Sequence, residues 1–324
     1  MKSKGMKRVG NIYEQIISLA NLQAADSKAQ KGKQHSHGVS VHMRNQESNL
    51  LVLQDMLQNK TFQTSTYDIF TIYEPKERIV YRLPYFPDRI THHAIMNILE
   101  PIFVSTFTAD TYSCIKKRGI HKLLENLKRD LKDTEGTHYC LKFDIKKFYP
   151  SVNHDVLKGL LRKKFKDPDL LWLLDEIIDS APGLPIGNYL SQYLANFYLS
   201  YFDHWMKEQK AVKYYYRYAD DIVVLASDKP SLHALLIDIK HYLSDLKLEV
   251  KNNHQVFPVD SRGIDFVGYV FRHSHIKIRK SIKKNFARKI ARNPNHASKA
   301  SYLGWLSHCN AKHLTKKLLQ NEQL

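Results

Sequence analysis

The chain has 324 residues, a formal net charge of +18, 43% apolar residues and 11% aromatic residues. This composition excludes a disordered chain and allows two or three subdomains around a sizeable core. The positive charge points to a polyanion, with nucleic acid first, and no apolar run is long enough to span a bilayer.

Val9, Ile12, Tyr13, Ile16 and Ile17 have the spacing of one amphipathic helix over 9–22. A polar stretch with Lys31, Lys33, His35 and His37 reads as a mobile loop, and a second helix follows over 43–59. Residues 67–83 alternate in the manner of a hairpin, broken by Glu74-Pro75-Lys76-Glu77. Arg78 and Arg82 share parity, so both side chains leave one face of its second strand. A strand is expected over 138–146. A helix capped by Asn153 follows, with Val156, Leu157, Leu160 and Leu161 inward. Further helices fit 169–179, 188–207 and 230–246, and strands fit 248–251, 255–259, 264–271 and 275–279. Strands and helices mix without strict alternation, which predicts an α+β fold with a largely antiparallel sheet. The C-terminal stretch is basic and helical: Ile282, Phe286 and Ile290 make an apolar stripe beside Lys283, Lys284, Arg288, Lys289 and Arg292.

Cys114, Cys140 and Cys309 lie far apart and form neither a zinc spacing nor an even disulfide set, which fits a reducing cytoplasm. No apolar signal core follows the basic start at Met1.

The chemistry centres on Tyr218-Ala219-Asp220-Asp221, an acidic tip between the β-prone runs Tyr214-Tyr215-Tyr216-Arg217 and Ile222-Val223-Val224-Leu225. Adjacent aspartates at a turn repel, and a divalent cation offsets that repulsion. Asp144 ends another strand. If the strands are neighbours, three carboxylates converge at one edge and can hold two Mg²⁺ ions roughly 3.5–4 Å apart. One ion would activate a primer 3′-hydroxyl and the other would hold a triphosphate, giving in-line nucleotidyl transfer.

Taken together, these segments resemble the reverse transcriptases of bacteria and their phages. Tyr218-Ala219-Asp220-Asp221 matches the family's Tyr-X-Asp-Asp hairpin, and Asp144-Ile145-Lys146-Lys147-Phe148-Tyr149 its first aspartate motif. Pro84-Tyr85-Phe86-Pro87-Asp88-Arg89-Ile90 resembles the fingers segment before the palm, and Phe266-Val267-Gly268-Tyr269 the primer-grip turn. The resemblance implies a right-hand polymerase. An N-terminal helical extension covers 1–60, fingers 61–136, a palm with the catalytic aspartates 137–275, and a short basic helical thumb 276–324. Asp144, Asp220 and Asp221 would be the catalytic metal ligands for two Mg²⁺, with Mn²⁺ able to substitute. Arg78, Arg82, Tyr149 and Ile186 would bind dNTP, with Tyr149 as a steric gate against a ribose 2′-hydroxyl. Gln192, Gly268, Tyr269, Lys283, Lys284 and Arg288 would contact template and primer. His254, with Lys251 close by, is the candidate general acid toward pyrophosphate.

Gly183-Leu184-Pro185-Ile186-Gly187-Asn188-Tyr189-Leu190-Ser191-Gln192 departs from the family's usual Gln-Gly and Ser-Pro pairs. In this it resembles the reverse transcriptases of diversity-generating retroelements, which copy a template-repeat RNA with errors opposite adenine. That branch implies RNA–cDNA duplex and dNTPs as partners, a small basic accessory protein forming a pentameric barrel, and a bacterial cytoplasm. With the thumb helices near the end of the sequence, no RNase H, endonuclease or separate DNA-binding domain is expected. The alternatives are a retron or phage-defence reverse transcriptase, or a non-catalytic RNA-binding protein on a polymerase fold.

Overall fold

The computed structural model describes residues 8–73, 77–290 and 296–320. The expected turn at Glu74-Pro75-Lys76 lies outside the described residues. The chain forms two compact units, each assembled from discontinuous segments: 1–107, 147–201 and 246–248 in the first, and 108–146, 202–245 and 249–324 in the second.

The first unit is mainly helical. The helix expected over 9–22 is two helices, Tyr13–Ile17 and Leu19–Ala29. Ser18 interrupts them with extended backbone and caps the second by accepting from the Asn21 amide. The predicted loop after residue 29 is short, because a helix restarts at His37–Met43, ahead of Gln46–Gln58. Asp167 caps two elements at once, accepting from the Ile12 and Tyr13 amides at 2.8 and 3.0 Å and from Leu170 at 3.3 Å. Asn153 caps His154–Lys164 as expected, accepting from the Val156 amide at 3.0 Å. The long helix Ile90–Thr106 buries Ile90, Ala94, Ile95, Leu99 and Phe103 against the N-terminal helices and Tyr189–Tyr198. Each of the Ile, Leu and Phe side chains contributes about 1.5–3 kcal/mol on leaving water. Strands β1 (Asp68–Ile72) and β2 (Arg78–Arg82) form the expected antiparallel hairpin.

The second unit carries β3 (Tyr139–Asp144), β4 (Tyr214–Tyr218), β5 (Asp221–Ala226) and β6 (Gln255–Pro258) in one antiparallel sheet of order β4-β5-β3-β6. The helix Lys229–Asp245 packs on this sheet. Leu123, Leu124 and Leu127 of Ile120–Asp130 share a core with Cys140, Tyr214, Tyr216, Val223 and Leu225. A smaller sheet, β7 (Ile264–Phe266), β8 (Tyr269–Phe271) and β9 (Ile276–Ile278), runs beside helices Lys280–Ile290, His296–Leu306 and Lys312–Gln320.

Three further sequence expectations change. The single strand over 264–271 is a hairpin, because Val267 and Gly268 take positive φ of 42° and 92° and turn the chain. The strand over 248–251 reduces to one bridge between Val250 and Ile145. The helix over 188–207 divides into Tyr189–Tyr198, Ser200–His204 and a wider π-type turn, Trp205–Gln209. Hydrophobic periodicity alone does not report such breaks.

Candidate active site

The three aspartates come together through backbone register. Asp144 is the last residue of β3 and pairs with Asp221, the first residue of β5. Tyr218 pairs with Asp221 across β4 and β5, leaving Ala219 and Asp220 as the two-residue tip. Ala219 sits at φ 55°, a left-handed conformation that costs a non-glycine residue about 1 kcal/mol. The tip is joined to its neighbour strand by the Ile145 amide, which donates to the Asp220 carbonyl at 3.2 Å.

The carboxylates are crowded and only partly solvated. Burial first, and then the nearby Asp144, pushes the Asp220 carboxyl up to about 6. Burial also raises Asp221 to about 6, opposed by Lys142 and assisted by Asp144. Two lysines supply positive charge. Lys251 Nζ donates to Asp144 Oδ1 at 2.6 Å, and Lys142 Nζ lies 3.5 Å from Asp221 Oδ2. The other oxygen of Asp221, Oδ1, is buried with no hydrogen-bond partner among the described residues. An unpaired buried carboxylate oxygen in an acidic cluster fits a hard cation, which oxygen donors prefer. With the lysines on Asp144 and Asp221, no three acidic, histidine or cysteine side chains among the described residues close into a ready metal cage.

Sequence reasoning missed Lys142 and Arg217. Lys142 stands two residues before Asp144 on the same strand, so period two puts both side chains on one face. Arg217 is wholly buried. Its guanidinium donates to both oxygens of Asp203 at 2.7 and 2.6 Å, and to the Ala219 carbonyl in the acidic tip at 3.1 Å. Asp203 also accepts from Tyr215 and Thr111 hydroxyls at 2.6 and 2.8 Å. A lone arginine in the run Tyr214-Tyr215-Tyr216-Arg217 was the available signal, since a charge in a buried strand requires a partner.

His254 does not touch the acidic residues. Its Nδ1 faces the Lys251 carbonyl at 3.0 Å, and Lys251 is the side chain on Asp144. Gly268 turns the β7–β8 hairpin where a Cβ would lie 2.5 Å from the Trp305 ring. Tyr269 is buried, and its hydroxyl donates to the Trp305 carbonyl at 2.9 Å. Lys283, Lys284 and Arg288 are exposed on Lys280–Ile290, while Phe286 and Ile290 face inward.

The remaining sequence-predicted residues belong to the first unit. Arg78 and Arg82 pair with Ile72 and Asp68, so they share a face with Phe70 and Val80. Arg82 is ion-paired with Asp68 and lies over the Phe70 ring. Ile186 meets this hairpin through its backbone, and Tyr149 meets the segment that carries Ile186. The Leu184 amide donates to the Tyr149 carbonyl, and the Tyr81 amide of β2 to the Ile186 carbonyl, both at 2.8 Å. Gly187 makes the second approach possible: at φ 122°, a Cβ there would stand 2.4 Å from the Tyr81 carbonyl oxygen. Gln192 is exposed on the helix Tyr189–Tyr198.

The family described as reverse transcriptase (RNA-dependent DNA polymerase) matches residues 74–271, the span that contains the paired aspartates. The chain belongs to the reverse transcriptase family. By class, that family is one of RNA-directed DNA polymerases, nucleotidyltransferases that use divalent metal ions. Escherichia coli protein YkfC is 23% identical over 274 residues, covering 68% of this chain and 72% of that protein. The group II intron-encoded protein LtrA of Lactococcus lactis is 27% identical over 139 residues, covering 40% of this chain and 23% of its own length. The fold is α+β with antiparallel sheets. It resembles a solved apo telomerase from Candida tropicalis with a TM-score of 0.50 at 13% identity, over 71% of this chain and 53% of that one. Among the described residues, no helix is long and apolar enough to cross a membrane.

Proposed function

We propose that this reverse transcriptase copies a template-repeat RNA into error-containing cDNA for a diversity-generating retroelement. The observation that carries the polymerase reading is the register pairing of Asp144 with Asp221 beside the Asp220 tip. The sequence Ile186-Gly187 followed by Ser191-Gln192 supports the branch. The same reading assigns 1–60 to an N-terminal extension, 61–136 to fingers, 137–275 to palm and 276–324 to thumb. Its partners are template RNA, the RNA–cDNA duplex, dNTPs and a small basic accessory protein forming a pentameric barrel, in a bacterial cytoplasm.

Asp144, Asp220 and Asp221 would hold two Mg²⁺, or Mn²⁺ in their place. When bound, such ions acidify a primer 3′-hydroxyl and neutralise the triphosphate. The chain's own contribution is to fix three carboxylates on strands and a tight turn, a preorganised arrangement. Lys251 and Lys142 balance those carboxylates and are positioned to release them to a stronger cation. Lys251 is better placed than His254 to deliver a proton beside Asp144. Arg78 and Arg82 would meet the triphosphate. Gln192, Gly268, Lys283, Lys284 and Arg288 would contact template and primer, mainly at phosphates. Tyr269 would act by shaping the primer-grip hairpin, since its ring is buried.

Two substitutions probe specificity. Ile186 offers no side-chain donor or acceptor, so Ile186→Gln adds a polar check near the incoming pair. Sequencing of cDNA made on the cognate RNA is expected to show misincorporation opposite adenine falling about tenfold. Unchanged errors at retained activity would remove Ile186 from fidelity control. Tyr149→Ala is expected to raise rNTP use relative to dNTP use by about tenfold or more, by opening space at the sugar. An unaltered kcat/KM ratio would show that Tyr149 does not gate the 2′-hydroxyl.

A retron or phage-defence enzyme is the runner-up within the same family. A non-catalytic RNA-binding protein is the reading outside catalysis. Near-identical repeats differing at adenines in the neighbouring DNA favour diversification, and an adjacent effector gene favours defence.

A further inference from the structure

Lys142 makes contacts that balancing the charge of Asp221 does not require. It pairs with Val223 across the main sheet, on the face that carries the Asp144–Asp221 pair. The smaller sheet covers that face: Cys140 and Val223 share one core with Ile264, Phe266, Tyr269 and Phe271. The two sheets have no backbone ladder between them, so side chains must join them.

Lys142 stands at the rim of this core, between the β7–β8 hairpin and the acidic edge. An ammonium has several donors, and this one meets both sides. Nζ donates to the Asp265 carbonyl of β7, and it lies 3.5 Å from Asp221 Oδ2. It is also 5.8 Å from the centre of the Phe266 ring, within range of a cation–π attraction. The hairpin is therefore tied by a charged donor, the stronger kind, to the strand face that presents the aspartates.

The same hairpin is tied a second time. Arg279 Nε donates to Asp265 Oδ1 at 2.6 Å, and the Arg279 amide donates to the Gly268 carbonyl at 2.9 Å. Arg279 lies between β9 and the basic helix Lys280–Ile290. Asp265 is thus held on its carbonyl from β3 and on its carboxylate from the base of that helix. The Lys142 and Arg279 side chains are 24% and 37% exposed, so these ion pairs add little to global stability. What they fix is position.

We propose that Lys142 is a positioning residue that fastens the β7–β8 hairpin to Asp221 and so sets where a primer end lies over the acidic edge. This rests on the polymerase reading and on the hairpin's part as primer grip. A displacement of about 1 Å can cost about 10²-fold in rate, so the tie acts on kcat. Primer affinity comes mainly from phosphate contacts and should hold.

The test uses the full chain and the variant Lys142→Met, which removes the charge and the donors and keeps the stem. Urea unfolding, amide exchange by mass spectrometry in EDTA, and primer extension with Mg²⁺ are measured. Amides of 264–271 are expected to exchange about tenfold faster, as for loss of a bond from a charged donor, with the urea midpoint unchanged. The kcat is expected to fall at least about tenfold, while the primer–template Kd and the dNTP KM stay within about twofold. Lys142→Arg keeps a charge and a donor of similar reach, and it should restore both exchange and kcat. Arg279→Gln loosens the hairpin from the helix side and should change both in the direction of Lys142→Met.

A lower kcat with unchanged exchange at 264–271 would make Lys142 a counter-charge for Asp221 alone and overturn the tie. Faster exchange with unchanged kcat would overturn the positioning role. Faster exchange throughout the second unit with a lower urea midpoint would also overturn it, by making Lys142 a general support of the fold. If Lys142→Met does not fold, Arg279→Gln decides, and unchanged exchange or unchanged kcat in that variant overturns the proposal. The exchange measurement needs no catalysis. A wild-type chain that extends no primer would sink the catalytic reading, while faster exchange in Lys142→Met would still establish the tie.

Discussion

Arg217→Ala is expected to destabilise the protein by about 3–5 kcal/mol, because it leaves Asp203 as an uncompensated buried charge. Both side chains are fully buried. Asp203 would keep only the Tyr215 and Thr111 hydroxyls. The same change removes the donor to the Ala219 carbonyl, so the turn presenting Asp220 loses a support as well as its foundation. Arg217→Lys should recover part of the stability. It keeps a charge for Asp203, but a single ammonium cannot reproduce a fork that reaches Asp203 and Ala219 together. Urea unfolding measures the first effect and primer extension the second. A stability loss below about 1 kcal/mol in Arg217→Ala would mean that the buried pair is not what holds this hairpin.

The second large effect falls on chemistry with the opposite sign for stability. Asp220→Ala is expected to lower kcat at least about 10³-fold, since it deletes a preorganised charge from the acidic edge. Its folded state should be as stable as the wild type or more so. Asp220 is partly buried beside Asp144, and both burial and that neighbour disfavour its ionised form. Removing it relieves repulsion without opening a large cavity. Asp144→Ala should lose activity similarly, while freeing the Lys251 ammonium from its 2.6 Å partner. Thermal melting alongside primer extension separates the two outcomes. An Asp220→Ala protein that unfolds earlier and still extends primers would contradict both halves of the argument.

The acidic edge was legible in the sequence because strand ends and turns have local signals. Asp144 closes an apolar run, and Asp220-Asp221 interrupts two β-prone runs. That these strands are neighbours stood only as a condition in the sequence, and the register of Asp144 with Asp221 comes from the structure. The Asn153 cap was legible for the same reason: a side chain bonding three residues ahead is a local event. Lys251 at Asp144 depends on residues 107 apart, and Arg217 with Asp203 on two segments whose approach no local pattern encodes. The Val267-Gly268 turn was offered by the resemblance to a primer-grip turn, but the apolar pattern of 264–271 by itself read as one strand. The left-handed backbone, with Trp305 over the glycine, makes it a hairpin.

The most direct test of the catalytic reading is dNMP incorporation onto a DNA primer annealed to RNA, using the purified chain with Mg²⁺, with EDTA, and with Mg²⁺ in Asp144→Asn. Template-directed extension is expected with Mg²⁺, none in EDTA, and restoration when excess Mg²⁺ is returned. The Asp144→Asn protein should stay folded and fail to extend. Extension that persists in EDTA, or at wild-type rate in Asp144→Asn, would contradict catalysis at the paired aspartates.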